Sequence, residues 1–350
     1  MGVGYFNDVE QMDWCRPMMR KTLCSAILLG AMSVALTGLA WSQAAPSQSA
    51  ADYPSRPIRI VVPYTPAGQT DAYARLIAHG LNAAWGQPVV VENRAGANGL
   101  IGTNFVKQSA PDGYTLLFTA NSAHTLGPLV RDPRPFEPTG DFTPVAIAVR
   151  YPMYLLIDQR IPARTVAELV AYAKARPDRL NYSSAGIGSG GHIACELFSG
   201  AAGIGAQHVP YKGSAPAQMA LVAGEVQMFC DSVGNSQALV KDGKMRGLAI
   251  TAPSRLAAAP EIPTMAEVGL PGVEVTIWLG LLGPKGMSAA IATKLNAELV
   301  RIMQSPEVRQ RALREGTETA SVTPEQFATF MQEEQERYGR IIREKQIRAE

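Results

Sequence analysis

Cysteine and histidine are scarce in this chain, net charge is small, and no long apolar run occurs beyond its first 45 residues. The four cysteines are Cys15, Cys24, Cys195 and Cys230, and no two form a Cys-x-x-Cys pair. The four histidines, His79, His124, His192 and His208, are scattered, with no two at the spacing of a metal-binding helix turn. A zinc site has no ligand set to draw on, and no cofactor is expected. The formal charge is +2, and the first 45 residues leave it unchanged, because Arg16, Arg20 and Lys21 balance Asp8, Glu10 and Asp13. Without a basic stripe, a nucleic-acid partner is excluded. What is present is ordinary globular material: 47% hydrophobic and 18% charged residues, enough for one large domain or two lobes.

The N-terminus reads as an address. Arg20 and Lys21 precede an apolar and small-residue run over 23–39, and Ser42-Gln-Ala44 supplies small residues at a cleavage site. Ser25, Gly30, Ser33, Thr37 and Gly38 make that run poor as a permanent span. Acids upstream of Met18 and Met19 suit neither a leader nor its charge rule, so translation is expected to start at one of those methionines. The expectation is a signal peptide over 1–44 and a periplasmic product. Cys195 and Cys230 then have two readings, a pair of small buried hydrophobes or one disulfide, and the sequence leaves both open.

The exported chain is organised around residues 58–71. Ile58–Val62 reads as a buried strand that stops at Pro63. A loop with Tyr64, Pro66, Ala67 and Gly68 follows, and a helix opens near Thr70 and Asp71 with Tyr73, Leu76, Ile77 and Leu81 on one face. Backbone N–H groups at such a strand–loop–helix junction form a seat for an anion. The alternation continues through strands at 89–91 and 114–119, the latter ending in the polar stretch Asn121-Ser122. A parallel sheet with helices on its faces follows, and such sheets bind ligands at the carboxyl ends of their strands. A longer extended run over 142–157, broken by Pro144 and Pro152, leaves this lobe.

The pattern then recurs. Residues 180–183 form a strand, Ser184-Ala-Gly-Ile-Gly188-Ser189-Gly190-Gly191 the loop, and His192 opens a helix. Further strand ends fall at Tyr211-Lys212 and at Asp231. An apolar extended run through Trp278 crosses back, and Ser288, Ser305 and Thr323 start the closing helices. The glycine loop is not a dinucleotide fingerprint, since no acid follows at ribose distance. Ser189, His192 and Asp231 can be drawn as a triad, but the serine lacks its Gly-x-Ser-x-Gly elbow. Asp71 either balances its helix dipole or receives a ligand ammonium group. Tyr211 and Lys212 are either ligand contacts or, respectively, packing and solvated charge.

Several segments carry a family resemblance. Tyr53-Pro-Ser-Arg-Pro-Ile-Arg-Ile-Val-Val-Pro-Tyr, Gly86-Gln-Pro-Val-Val-Val-Glu-Asn-Arg and Ala110-Pro-Asp-Gly-Tyr-Thr-Leu-Leu come first. Leu180-Asn-Tyr-Ser-Ser-Ala-Gly, His208-Val-Pro-Tyr-Lys-Gly-Ser and Pro263-Thr-Met-Ala-Glu follow in order. Together they resemble the substrate-binding proteins of tripartite tricarboxylate transporters, the Bug receptors, over essentially all of the exported chain. The resemblance implies an α/β, type II-like periplasmic binding protein: two lobes closing on a small carboxylate like a Venus flytrap. It implies lobe 1 over 45–152 and 272–350, lobe 2 over 153–271, and delivery to a two-component membrane permease by a monomeric receptor. The implied ligand residues are Tyr64, Ala67, Gly68, Thr70, Asp71, Asn121 and Ser122 from one side. Ser184, Gly188, Ser189, Gly190, His192, Tyr211 and Asp231 come from the other. Ala67, Gly190 and Gly191 depart from the family pattern, and the last two replace common hydroxyl donors. The competing function is an exported serine hydrolase built on Ser189, His192 and Asp231.

Overall fold

The computed structural model describes residues 51–66, 68–176 and 179–348. The leader expected over 1–44 and Ala67 of the first loop lie outside the described residues. Strand β1 (Ile58–Val62) runs parallel to β2 (Val89–Asn93) and to β3 (Thr115–Ala120), with Ile60 opposite Val91 and Leu116. Helix α1 (Gln69–Trp85) joins β1 to β2, and a 3-10 turn (Ala97–Gly99) with α2 (Leu100–Lys107) joins β2 to β3. Ile60 and Val62 pack on one face of the sheet with Tyr73, Ile77 and Leu81 of α1. Val61 packs on the other with Val106 and Trp278. Burial on both faces is why residues 60–62 are apolar in succession, with only Arg59 of β1 exposed.

After β3 the chain makes a π-helical turn (Ser122–Leu126) and the short α3 (Gly127–Leu129). It then enters β4 (Phe142–Asp158), a 17-residue strand that belongs to two sheets. Helix α4 (Val166–Lys174), β5 (Asn181–Ser184), α5 (Gly190–Ala202), β6 (Gln207–Pro210) and α6 (Ser214–Ala223) come next. They are followed by β7 (Met228–Ser232), α7 (Val233–Lys241) and β8 (Met245–Ile250). The chain returns on β9 (Thr276–Pro284) and closes with α8 (Ala289–Met303), α9 (Pro306–Arg314), β10 (Glu318–Thr319) and α10 (Pro324–Glu344).

The first half of β4 pairs antiparallel with β9, ending with Pro152 opposite Thr276. From Met153 onward it pairs with β7 and β8 instead. Proline has no N–H to give a ladder, so Pro152 suits the point where one sheet hands over to the next. The order is β2-β1-β3-β9-β4 on one side and β4-β7-β5-β6 on the other. Two α/β lobes therefore share β4, each with parallel strands ending toward loops. Cys195 on α5 and Cys230 on β7 are disulfide-bonded, with Cα atoms 5.8 Å apart, which settles the choice the sequence left open. Thr323 and Gln326 form a reciprocal capping box at the start of α10. Ser288, expected to cap α8, makes no capping bond through its side chain.

Candidate functional site

The first loop is held open by bonds that run behind it. Gly68 is the N-cap of α1, with extended backbone (φ −80°, ψ 169°) and no side chain capping the helix. A Cβ at Gly68 would meet nothing within 4 Å. No side chain among the described residues caps the first-turn N–H groups of α1. Asp71 is buried and bonded: Arg75 reaches both carboxylate oxygens at 3.0 Å, and Asn93 Nδ2 donates to Oδ1 at 2.9 Å. Asn93 Nδ2 also donates to the Tyr64 carbonyl at 3.2 Å. Asp71 thus pins the loop to β2. Burial pushes the Tyr64 phenol above its usual pKa, and its hydroxyl lies 3.5 Å from that of Thr119.

The second loop braces itself. Ser184 Oγ accepts from the Gly186 N–H at 3.1 Å and meets His208 Nε2 at 2.6 Å. Gly188 sits at φ 76°, where an L side chain is strained. Its N–H donates to His192 Nδ1 at 3.0 Å. Ser189 caps α5 by accepting from the His192 N–H at 3.3 Å. The His192 ring stacks on His208 at 3.9 Å, and His208 on Tyr182 at 4.9 Å. Burial first, then the neighbouring His208, lowers the His192 pKa to about 3; burial lowers that of His208 to about 4. Both rings are neutral at ordinary pH, so this stack is a prop and carries no charge.

Gly190 and Gly191 have a packing reason. A Cβ at Gly190 would run into Ile277 and Met153, and one at Gly191 into the Cys230 carbonyl. At Gly191 the N-terminus of α5 lies too close to the β7 backbone for a side chain, whereas at Gly190 the neighbours are the movable side chains of Ile277 and Met153. Asp231, at the end of β7, accepts from Ser214 Oγ at 2.9 Å, Gln218 Nε2 at 2.8 Å and Ser236 Oγ at 2.8 Å. Burial raises its pKa, and those hydrogen bonds oppose the rise.

Two adjoining cavities lie between these loops. The larger, about 690 Å³, is lined by Tyr64 and Arg131 from the first lobe and by Ile187, Tyr211 and Lys212 from the second. The smaller recess, about 120 Å³, reaches Tyr151, Gly190, Ser214 and Asp231. Ser122, Ala185 and Ser189 line both. A third concavity, about 590 Å³, lies at the opposite ends of β1 and β3. Its charges are paired with one another, Arg56 to Asp112 at 2.7 Å and Arg59 to Glu92 at 3.3 Å, so it offers a ligand little.

Of the residues expected at the site, Tyr64, Ser122, Ser189, Gly190, Tyr211 and Asp231 line these cavities. Gly68, Thr70, Asp71, Asn121, Ser184, Gly188 and His192 do not. Asn121 Nδ2 instead donates to the Thr276 carbonyl at 3.1 Å and to Glu334 at 2.7 Å. Arg131, Tyr151 and Ser214 were missed. Tyr151 sat in view beside Pro152 at the sheet change, but nothing in the sequence around Arg131 marks it; the turn after β3 carries it there. The drawn triad is not assembled. His192 Nδ1 is taken by Gly188, and no hydrogen bond among the described residues joins its ring to Ser189 Oγ or Asp231.

Residues 73–347 match the family model for the tripartite tricarboxylate transporter family receptor. The chain belongs to that receptor family. It is similar to protein BugT of Bordetella pertussis, at 35% identity over 297 residues, 85% of this chain and 91% of that one. Among solved structures it is similar to R. palustris Rpa4515 with adipate, at 34% identity and a TM-score of 0.77, covering 85% of this chain and 99% of that one. It is also similar to MatC from Rhodopseudomonas palustris with bound malate, at 33% identity and a TM-score of 0.74, covering 83% and 100%. These likenesses bear out both the family resemblance and the two-lobed fold read from the sequence. The family consists of substrate-binding receptors.

Proposed function

We propose that this receptor captures a small carboxylate in the cavity between its lobes and delivers it to a two-component permease from the periplasm. The observation that carries the reading is the 690 Å³ cavity lined from both lobes, with Arg131 on one side and Lys212 on the other. Carboxylates in two similar structures, adipate and malate, support the ligand class. The leader motif at 20–44 supports export. No reaction is needed. Each lobe offers half a site, so a ligand touching both favours the closed arrangement by its differential affinity.

Thermal unfolding with a carboxylate panel, run beside an ester-cleavage assay, tests this. A ligand at a hundredfold its Kd should add about 2.7 kcal/mol, roughly 5 °C in midpoint, with no turnover. Ester cleavage that disappears in Ser189→Ala would overturn the receptor reading.

A further inference from the structure

We propose that Arg131 is a specificity-determining residue that reads a second carboxylate on the ligand, and that the cleft discriminates against the α-amino form of the same acid. This rests on the carboxylate-receptor reading above and narrows it.

Charge along the joined cavities is mostly positive. Their lining contains two cations, Arg131 and Lys212, and one acid, Asp231. Arg131 is half-buried, and its Nη1 donates to the Gly127 carbonyl at 2.6 Å. That bond fixes the side chain, and no ion pair joins it to an acid among the described residues. A guanidinium has five N–H donors in a planar fork, so the remaining donors suit a carboxylate. Lys212 is exposed at the same cavity and adds charge of the same sign.

The one acid is already spent. Ser214 and Gln218 each hold one oxygen of Asp231, Ser236 shares the second, and Asn235 Nδ2 stands at 3.5 Å. A ligand ammonium would have to displace these donors to find an acceptor there. Asp71, the other acid named from the sequence, lines neither cavity and is bonded to Arg75 and Asn93. Taking an ammonium out of water without a charged acceptor is costly, while a second carboxylate meets a prepared donor set. The shortage of free acid is thus as informative as the presence of Arg131.

Isothermal titration of the exported chain tests this with matched probes. Succinate, glutarate and adipate are compared with aspartate, glutamate and 2-aminoadipate, and with butyrate, pentanoate and hexanoate. The best diacid should bind about tenfold or more tighter than both its amino analogue and its monoacid. Arg131→Gln should weaken the diacid at least about fivefold more than its monoacid, erasing the diacid preference, and Arg131→Lys should restore part of it. Two results would overturn the assignment while leaving the receptor reading intact: an amino analogue binding as tightly as its diacid, or Arg131→Gln weakening both acids equally. If no acid in any set binds the wild type, both readings fall. The wild-type comparison stands whether or not Arg131→Gln folds.

Discussion

Acid should loosen this protein through the histidine pair beneath its second loop. His192 stays neutral in the folded chain down to about pH 3 and His208 down to about pH 4, against an ordinary value near 6.5. Below about pH 6.5 the unfolded chain takes up a proton at each ring, and the folded chain does not. The unfolded state then binds more protons, so stability rises with pH across this window. The contribution is fully present above about 6.5 and is lost as pH falls toward 4. Each ring adds a slope of about 1.4 kcal/mol per pH unit, so the pair adds up to about 3 kcal/mol per unit. His124, buried with Nε2 3.0 Å from the Pro138 carbonyl and lowered to about 4, adds a third term of the same sign. Glu334 opposes them. It is buried, accepts from Trp278 Nε1 at 2.8 Å, and is raised to about 7 by desolvation. Its stabilisation is fully present below about 4.5 and is lost as pH rises through 7.

Comparing variants removes the groups they share. His192→Asn keeps an acceptor for the Gly188 N–H, and His208→Gln keeps a polar partner for Ser184. Urea denaturation of wild type and both variants at pH 7, 6 and 5 should give an average slope shallower by about 1 kcal/mol per unit for each histidine removed, because the unfolded ring is only partly protonated near pH 6.5. Each variant should also lose some stability at pH 7 from the broken stack. Parallel slopes for wild type and both variants would refute the reasoning. Folded His192 keeps its Nδ1 acceptor for the Gly188 N–H until about pH 3, so ligand affinity should hold across pH 7 to 5 while stability falls.

Two further outcomes are expected. Gly68→Val should leave stability within about 0.5 kcal/mol, because the position is open and extended, yet lower carboxylate affinity at least tenfold by covering the first turn of α1; calorimetry showing unchanged affinity would place the ligand away from α1. Replacing both Cys195 and Cys230 with alanine releases a cross-link between residues 35 apart, which loop-closure entropy values at about 3–4 kcal/mol. A loss under about 1 kcal/mol in urea melts would mean the bond constrains little that the fold does not already fix.

Much of the scaffold was legible because its signals are local. The apolar run of β1, the proline breaks in β4 and the capping box of α10 depend on neighbours in sequence. The family resemblance supplied the two-lobed arrangement. The site was harder to read for a physical reason. A polar residue near a loop looks like a ligand donor until its own bonds are known. Ser184 and Asp71 are adjacent to their loops, yet Ser184 is committed to Gly186 and His208, and Asp71 to Arg75 and Asn93. Gly190 and Gly191 looked like missing hydroxyls. For Gly191 the reason is the approach of α5 to the β7 backbone, and for Gly190 the side chains of Ile277 and Met153 fill the space, which only tertiary packing reveals. The Cys195–Cys230 bond likewise depends on α5 lying against β7, not on any spacing pattern.

The two loops share a plan and differ in how they are finished. The second is capped by Ser189, propped by His192 and His208, pressed onto crossing strands at Gly190 and Gly191, and tied behind by the disulfide. Its geometry is set before a ligand arrives, which lowers the ordering cost of binding. The first leaves its helix start uncapped, with its anchors, Asp71 and Asn93, on the far side. On the proposed carboxylate reading, a ligand reaching α1 would find first-turn donors without a side-chain cap, whereas at α5 the Ser189 cap already holds one first-turn donor. Neither loop contributes a full charge of its own to the cavity. Arg131 and Lys212 enter from segments beyond the two loops, one per lobe. The two proposals together assign retention of a carboxylate and discrimination among carboxylates to different parts of the chain. Substitutions at Arg131 should change which acid binds, whereas substitutions at Gly68 should weaken all of them together.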